Sequence, residues 1–372
     1  MIPCSFVIVF ADDGQGTAAY GYDFITSSAN VPHLPLSTEE HETEGNEERE
    51  EDNEEKSPLR IAFVKPSFTY AAYQLNGFYN FYQKYRYLPD ETTNITTDLN
   101  LLTVRVPDKT YLTYRDDPSD TPRVPSQQHY YEKLRELVEQ KASSSPQNLA
   151  IDIADITDKE VHEGDIFDSE GNNAYDILFL FHQEYVTQAE YDNLKKFVVQ
   201  NGGTIVFNDA NIFTVEVKYN SADNTITLVR GHGWAYNDDG GIGSAWRAES
   251  ERWLEENQQW VGSNFIEIPA NDKGVTFSNN PFNYSHSEEQ IVTNPNDEII
   301  FDFGVMEDVS YEIDNEKIDN RRHFPDFGKV AAYEMMSGKG KVINIGIFAH
   351  KLDHNEAFLA FYDEEILPRA MG

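Results

Sequence analysis

A chain of 372 residues that is 39% hydrophobic and 13% aromatic carries enough apolar material for one large domain or two ordinary ones. Its 29 Lys and Arg stand against 65 Asp and Glu, a formal charge of −36. That excludes nucleic acid as a partner, because phosphate binding needs a basic surface, and it disfavours an anionic membrane.

Cys4 is the one cysteine, which excludes an internal disulfide, a cysteine-rich zinc site and an iron-sulfur cluster. It lies in "MIPCSFVIVFADDG", an apolar run of signal-peptide length ending Val9-Phe10-Ala11 before Asp12. Residues 1–11 therefore read as a signal-peptide remnant, without the usual preceding Lys or Arg, and predict an exported or cell-surface protein. A cytoplasmic protein opening on an apolar strand is the alternative. No later stretch reaches the roughly 20 apolar residues of a membrane-spanning helix.

Residues 12–57 read as a disordered acidic linker. Between Glu39 and Lys56 lie 11 acids against Arg49 and Lys56, with almost nothing apolar to bury. From residue 58 to 372 the chain reads as a single α/β domain. "LRIAFV" (Leu59 to Val64) is a buried strand, and "YAAYQLNGFYNFYQKY" (Tyr70 to Tyr85) has helical spacing with Gly77 as its weak point. A strand is expected in "LNLLTVRV", an amphipathic helix over Gln127 to Ala142, and a strand in "LAIDIAD".

The strongest unit follows. "YDILFLF" (Tyr175 to Phe181) is a continuous apolar run, as a strand covered on both faces requires. Thr187 and Glu190 form a capping box for a helix whose Tyr191, Leu194, Phe197 and Val198 share one face. Gly202 ends that helix and Thr204 to Asp209 is the next strand, completing a right-handed βαβ crossover.

An insertion at about 212–328 differs in pattern. It opens on a β-hairpin turning at Ala222 to Asn224, and continues with a helix over Trp246 to Val261 whose Trp246, Trp253 and Trp260 read as core packing. The "GHGW" loop (Gly231 to Trp234) lacks the pattern of a phosphate loop, and the default for Glu249, Glu251 and Arg252 is a solvated helix face. The chain closes on a buried strand in "GKGKVINIGIFAH" and a helix capped by Asn355 and stopped by Pro368.

Ligands of an open α/β sheet bind beyond the carboxyl ends of its strands. Those ends offer Lys65, Ser67 and Tyr70; then His182, Glu184 and Tyr185; then Asn208, Asp209 and Asn211; and finally His350, Asp353 and His354. The joint "FHQEYVT" has neither Ser nor Cys where a nucleophile elbow would place one, which excludes a Ser or Cys hydrolase. Acid-base or metal chemistry remains, with His182, Glu184, His350 and Asp209 as catalytic candidates and His182/Glu184 as base and orienting carboxylate. The other open reading has the same side chains bonding the neighbouring loop or capping the helix.

The run "YDILFLFHQEYVTQAEYDNLKKFVVQNGGTIVFNDAN" resembles the class I glutamine amidotransferase-like fold. More narrowly it is similar to the C-terminal domain of the N,N-dimethylformamidase large subunit and to ThuA-like proteins, through His182, Glu184, Tyr185, Gly202, Gly203 and Asn211. The resemblance implies a flavodoxin-like parallel sheet with helices on both faces. It also implies a hydrolase of small amides or carbohydrate-related substrates that holds a single iron through tyrosines and a glutamate, with Tyr185 as a ligand candidate. Two functions stand open: an exported hydrolase of a small-molecule substrate, or a non-catalytic extracellular binding or structural domain. The first is favoured by a deep pocket that gathers His182, Glu184 and Tyr185 with His350 and Asp209; the second by those three side chains packed into the interior with their polar atoms satisfied.

Overall fold

In the computed structural model, the described residues are 57–74, 77–78, 103–107, 127–144, 150–231, 234–235, 253–267, 275–286, 288–294, 297–307, 310–313, 316–319 and 328–372. The expected signal remnant at 1–11, all of the linker but Ser57, the "GHGW" histidine and residues 246–252 of the tryptophan helix lie outside them.

The main sheet has nine strands. In chain order they are β1 (Leu59–Lys65), β2 (Ile151–Thr157), β3 (Ile177–Leu180), β4 (Thr204–Phe207), β5 (Ser263–Glu267), β6 (Glu288–Val292), β7 (Glu298–Asp302), β8 (Lys329–Ser337) and β9 (Gly340–Ile345). Across the sheet they run β5-β6-β8-β9-β4-β3-β1-β2, with β7 also on β8. The pairs β2/β1, β1/β3, β3/β4 and β4/β9 are parallel, and those of β5 to β8 and of β8 with β9 are antiparallel. The five parallel strands, counted along the chain, thus lie in the order second, first, third, fourth, fifth. The chain reverses its winding direction between β1 and β3, and a crevice opens at the carboxyl end of such a switch.

Alternation along β1 separates two cores. Ile61 and Phe63 point to one face, where α2 (Gln128–Ser144) and the C-terminal helices cover them through Tyr130, Leu134, Phe358 and Ile366. Ala62 and Val64 point to the other, covered by α3 (Asp158–Glu163), α4 (Gln188–Lys195) and α5 (Leu254–Trp260). Thr187 caps α4 by accepting from the Glu190 N–H at 3.0 Å, while Glu190 accepts from the Thr187 N–H in return. Gly202, at φ +82°, closes the last turn by donating to the Val198 carbonyl at 3.1 Å. Trp253 stacks on Tyr191 at 4.8 Å and Trp260 meets the same ring edge-on, so both tryptophans are core, as their spacing predicts.

Two expectations are corrected. The helix expected from Tyr70 to Tyr85 begins earlier, as α1 (Ser67–Tyr73), and is interrupted where Gln74 turns extended, ψ 163°; Phe78 is helical again, and residues 79–85 lie outside the described residues. Pro368 does not stop the C-terminal helix. α6 (Glu356–Phe361) passes through a wide turn over Tyr362–Ile366 into α7 (Leu367–Met371), and Pro368 stands in the opening turn of α7, where no N–H is required of it.

A smaller sheet joins Thr103–Arg105, Thr225–Gly231, Val215–Asn220 and Tyr185–Val186, its last pair parallel. It takes up the expected hairpin and packs on α1 through Phe68, Ala71, Ala72 and Tyr185. Among the described residues no helix is long and apolar enough to cross a membrane.

Candidate functional site

After β3 the backbone breaks at His182, which holds φ +47° although it has a Cβ. This conformation costs free energy and persists only where neighbours impose it. The imposition is visible: Glu184 N–H donates to the His182 carbonyl at 2.9 Å, Phe213 N–H to the Gln183 carbonyl at 2.8 Å, and Val215 N–H to the Glu184 carbonyl at 2.9 Å. Asn211 and Phe213, at φ +61° and +56°, complete a strained double bend at the rim. Gln183 is held from below, donating to Glu190 at 2.9 Å. The segment therefore aims its His and Glu in fixed directions.

Asn208 and Asp209 follow directly on β4, and beyond β9 a single 3₁₀ turn, Ala349–Leu352, carries His350. Ala210 N–H donates to the Ile347 carbonyl at 3.0 Å, which locks those two strand ends together. Three strand ends thereby deliver one buried constellation. His182 Nδ1 lies 3.2 Å from Asp209 Oδ2, and His182 Nε2 lies 3.3 Å from Glu184 Oε2. His350 Nδ1 lies 2.5 Å from the same Asp209 Oδ2, to which Gln127 Nε2 also donates at 3.1 Å. At the far end the Tyr73 hydroxyl donates to Glu184 Oε2 at 2.6 Å. His182, Glu184, Asp209 and His350 are each at most 3% exposed. Among the described residues, Asp209 Oδ1 and His350 Nε2 are buried with no hydrogen-bond partner. Such atoms are costly in a merely structural cluster.

The electrostatics follow from that packing. Burial alone would pull the His182 imidazole down, but hydrogen bonds to Asp209 and Glu184 and the charges of both carboxylates outweigh it, raising its pKa from 6.5 to about 9. Burial would raise Asp209, but the charge of His350 and the hydrogen bond from His182 lower it to about 2. At neutral pH the centre is an imidazolium between two acidic side chains. Beneath it lies a second buried acidic pair. Desolvation lifts Asp158 to about 7 against hydrogen bonds from the Ser67 hydroxyl and the Phe68 N–H, and desolvation with the charge of Asp158 raises Glu190 well above the carboxylate range. This pair props the first turns of α1 and α4.

All four residues read from sequence as catalytic, His182, Glu184, Asp209 and His350, meet here. Tyr185, the ligand candidate, sits in the core under α1, with its ring against Phe78 and 6.0 Å from that of Tyr73. Its N–H donates to the Thr69 hydroxyl at 3.0 Å. The phenol on Glu184 is that of Tyr73, which the sequence reading did not single out within the helix expected over Tyr70 to Tyr85. Gln127 was missed likewise, because nothing local marks a residue whose partner is 82 positions away. Of the other rim residues, Lys65 pairs with Asp155 at 3.3 Å, Ser67 bonds Asp158, Asn208 takes the Tyr362 hydroxyl at 2.5 Å, and Asn211 accepts from Thr214. Asp353 and His354 form a separate group with His129.

Residues 49–333 match the family described as N,N-dimethylformamidase beta subunit-like, C-terminal. No curated protein matches the chain. Among solved structures, the GH42 beta-galactosidase Gan42B aligns at 14% identity and a TM-score of 0.35, over 83% of this chain and 30% of that one. A beta-galactosidase from Bacillus circulans sp. alkalophilus aligns at 14% identity and a TM-score of 0.24, over 64% of this chain and 26% of that one. The chain thus spans under a third of those enzymes' length, at TM-scores that carry no argument about fold or activity.

Proposed function

We propose, from the premise that the chain belongs to the N,N-dimethylformamidase beta subunit-like C-terminal family, that it hydrolyses the amide bond of a small molecule where His182, Glu184, Asp209 and His350 meet. The observation that carries the reading is the relay Tyr73, Glu184, His182, Asp209, His350, each joined to the next at 2.5 to 3.3 Å and buried from Glu184 onward. Support for a flavodoxin-like scaffold of the glutamine amidotransferase-like kind comes from the second-first-third-fourth-fifth strand order, with the relay beyond the carboxyl ends of β3, β4 and β9.

The family resemblance implies one iron held by tyrosines and a glutamate. Two members of that donor set, the Tyr73 phenol and the Glu184 carboxylate, converge at 2.6 Å beside His182. Tyr73 and Glu184 would hold the ion, which when bound polarises a carbonyl or acidifies a water. The protein's own groups do the rest. Asp209, fixed by Gln127 and His350, orients His182 through Nδ1. His182 delivers a proton from its imidazolium to the departing amine nitrogen as the C–N bond breaks. It recovers one from the water whose oxygen has bonded to the carbonyl carbon, so water is consumed and a carboxylic acid and an amine leave. Metal analysis of the purified protein, with turnover of small amides by His182→Asn and Glu184→Gln, tests this reading. Metal content and turnover equal to the wild type in both variants would refute it.

A further inference from the structure

A second group of metal-ligating side chains stands outside the relay. His129 at the start of α2 and the pair Asp353-His354, after the turn that bears His350, bring three donor atoms within 4.8 Å of one another. His129 Nδ1 is 2.9 Å and His354 Nε2 3.9 Å from Asp353 Oδ2, with the two imidazole centroids 4.0 Å apart. Bonds of about 2.0 to 2.1 Å to a tetrahedral ion place donors about 3.3 Å apart, a value these two separations bracket. Two imidazoles and one carboxylate are the donor set of first-row transition metals rather than of Mg²⁺ or Ca²⁺. The group is also open: His354 is 77% exposed, His129 36% and Asp353 17%, which leaves positions for water. A formal charge of −36 concentrates cations around the chain.

We propose that His129, Asp353 and His354 bind one divalent transition-metal ion, of the Zn²⁺ class, that acts as a clamp on the relay. The placement argues the role. Gln127, two residues before His129, and His350, three before Asp353, both hydrogen-bond Asp209 Oδ2. An ion joining His129 to Asp353 and His354 ties the first turn of α2 to the turn carrying His350, and so fixes the two groups that position Asp209. The site lies beyond the iron set of Tyr73 and Glu184, and its readout does not depend on amide hydrolysis.

The test is titration of the metal-stripped full chain with Zn²⁺ by calorimetry, and with Co²⁺ by visible absorption, for wild type, His129→Ala, His354→Ala and His182→Asn. The proposal expects, apart from any ion at Tyr73 and Glu184, one equivalent that persists in His182→Asn, weakens at least about tenfold in both outer variants, and raises the thermal midpoint of wild type but not of His354→Ala. Because the His354 side chain is exposed, that variant folds even if His129→Ala does not. The proposal is overturned if His354→Ala binds Zn²⁺ with wild-type stoichiometry and affinity, or if the only equivalent bound is lost in His182→Asn.

Discussion

The imidazoles of His182 and His350 meet on one carboxylate oxygen, Asp209 Oδ2, at 3.2 and 2.5 Å. Two imidazoles share a single acceptor, and the Gln127 amide donates to it as well. Asp209→Asn keeps the shape and removes the charge. We expect it to lower kcat/KM for a small amide by about 10² to 10⁴, the usual range for losing positioned proton transfer. Circular dichroism should show the fold intact.

The pKa of His182 gives stability a pH signature. It rises from 6.5 to about 9 on folding, so the folded state favours the protonated ring. The stabilisation is fully present below pH 6.5 and is lost as pH rises through about 9. A shift of that size on a fully buried group corresponds to roughly 3 kcal/mol. Denaturant unfolding between pH 6.5 and 9.5 should show this decline in the wild type. It should flatten in His182→Asn, where Asn also tolerates the left-handed backbone of φ +47°.

Asp209 sets the acid limb. Its pKa falls to about 2, from an ordinary 3.8, so its contribution is present above pH 3.8 and is lost as pH falls through about 2. Asp209→Asn should remove this part of acid unfolding, measured as a midpoint by far-ultraviolet dichroism.

Tyr73, not Tyr185, holds the hydroxyl bonded to Glu184 at 2.6 Å. Tyr73→Phe should therefore reduce bound iron, measured by elemental analysis, much more than Tyr185→Phe. Equal losses would return Tyr185 to the ligand set.

The aromatic face beneath α4 carries stability rather than chemistry. Trp253 stacks on Tyr191 at 4.8 Å and is 1% exposed. Trp253→Ala should cost about 3 to 5 kcal/mol, read from chemical denaturation, and leave KM unchanged.

The fold was most legible where local signals agreed. The apolar run ending at Phe181, the Thr187/Glu190 capping box and Gly202 each specify a boundary through bonds to residues within a few positions, and β3, α4 and β4 follow them. Legibility failed where tertiary contacts decided. The aromatic spacing from Tyr70 continues past Tyr73, yet α1 ends there where Gln74 turns extended, and Tyr73 and Phe78 on either side of the break both pack on Tyr185 of the smaller sheet. The site divided in the same way. His182, Glu184, Asp209 and His350 sit at strand ends, which the sheet must gather, whereas Tyr73 reaches Glu184 across 111 residues and carries no local mark of it. The wide turn over Tyr362–Ile366, which lets the helix pass Pro368, likewise has no pattern in the sequence.

The most direct test is single-turnover hydrolysis of N,N-dimethylformamide and related small amides by the purified, iron-loaded full chain, beside His182→Asn, Glu184→Gln and Asp209→Asn. The account predicts amine release by the wild type, and a loss of about 10² or more in each variant. Release at the wild-type rate in His182→Asn, or no release from any small amide by the folded, iron-loaded wild type, would contradict it.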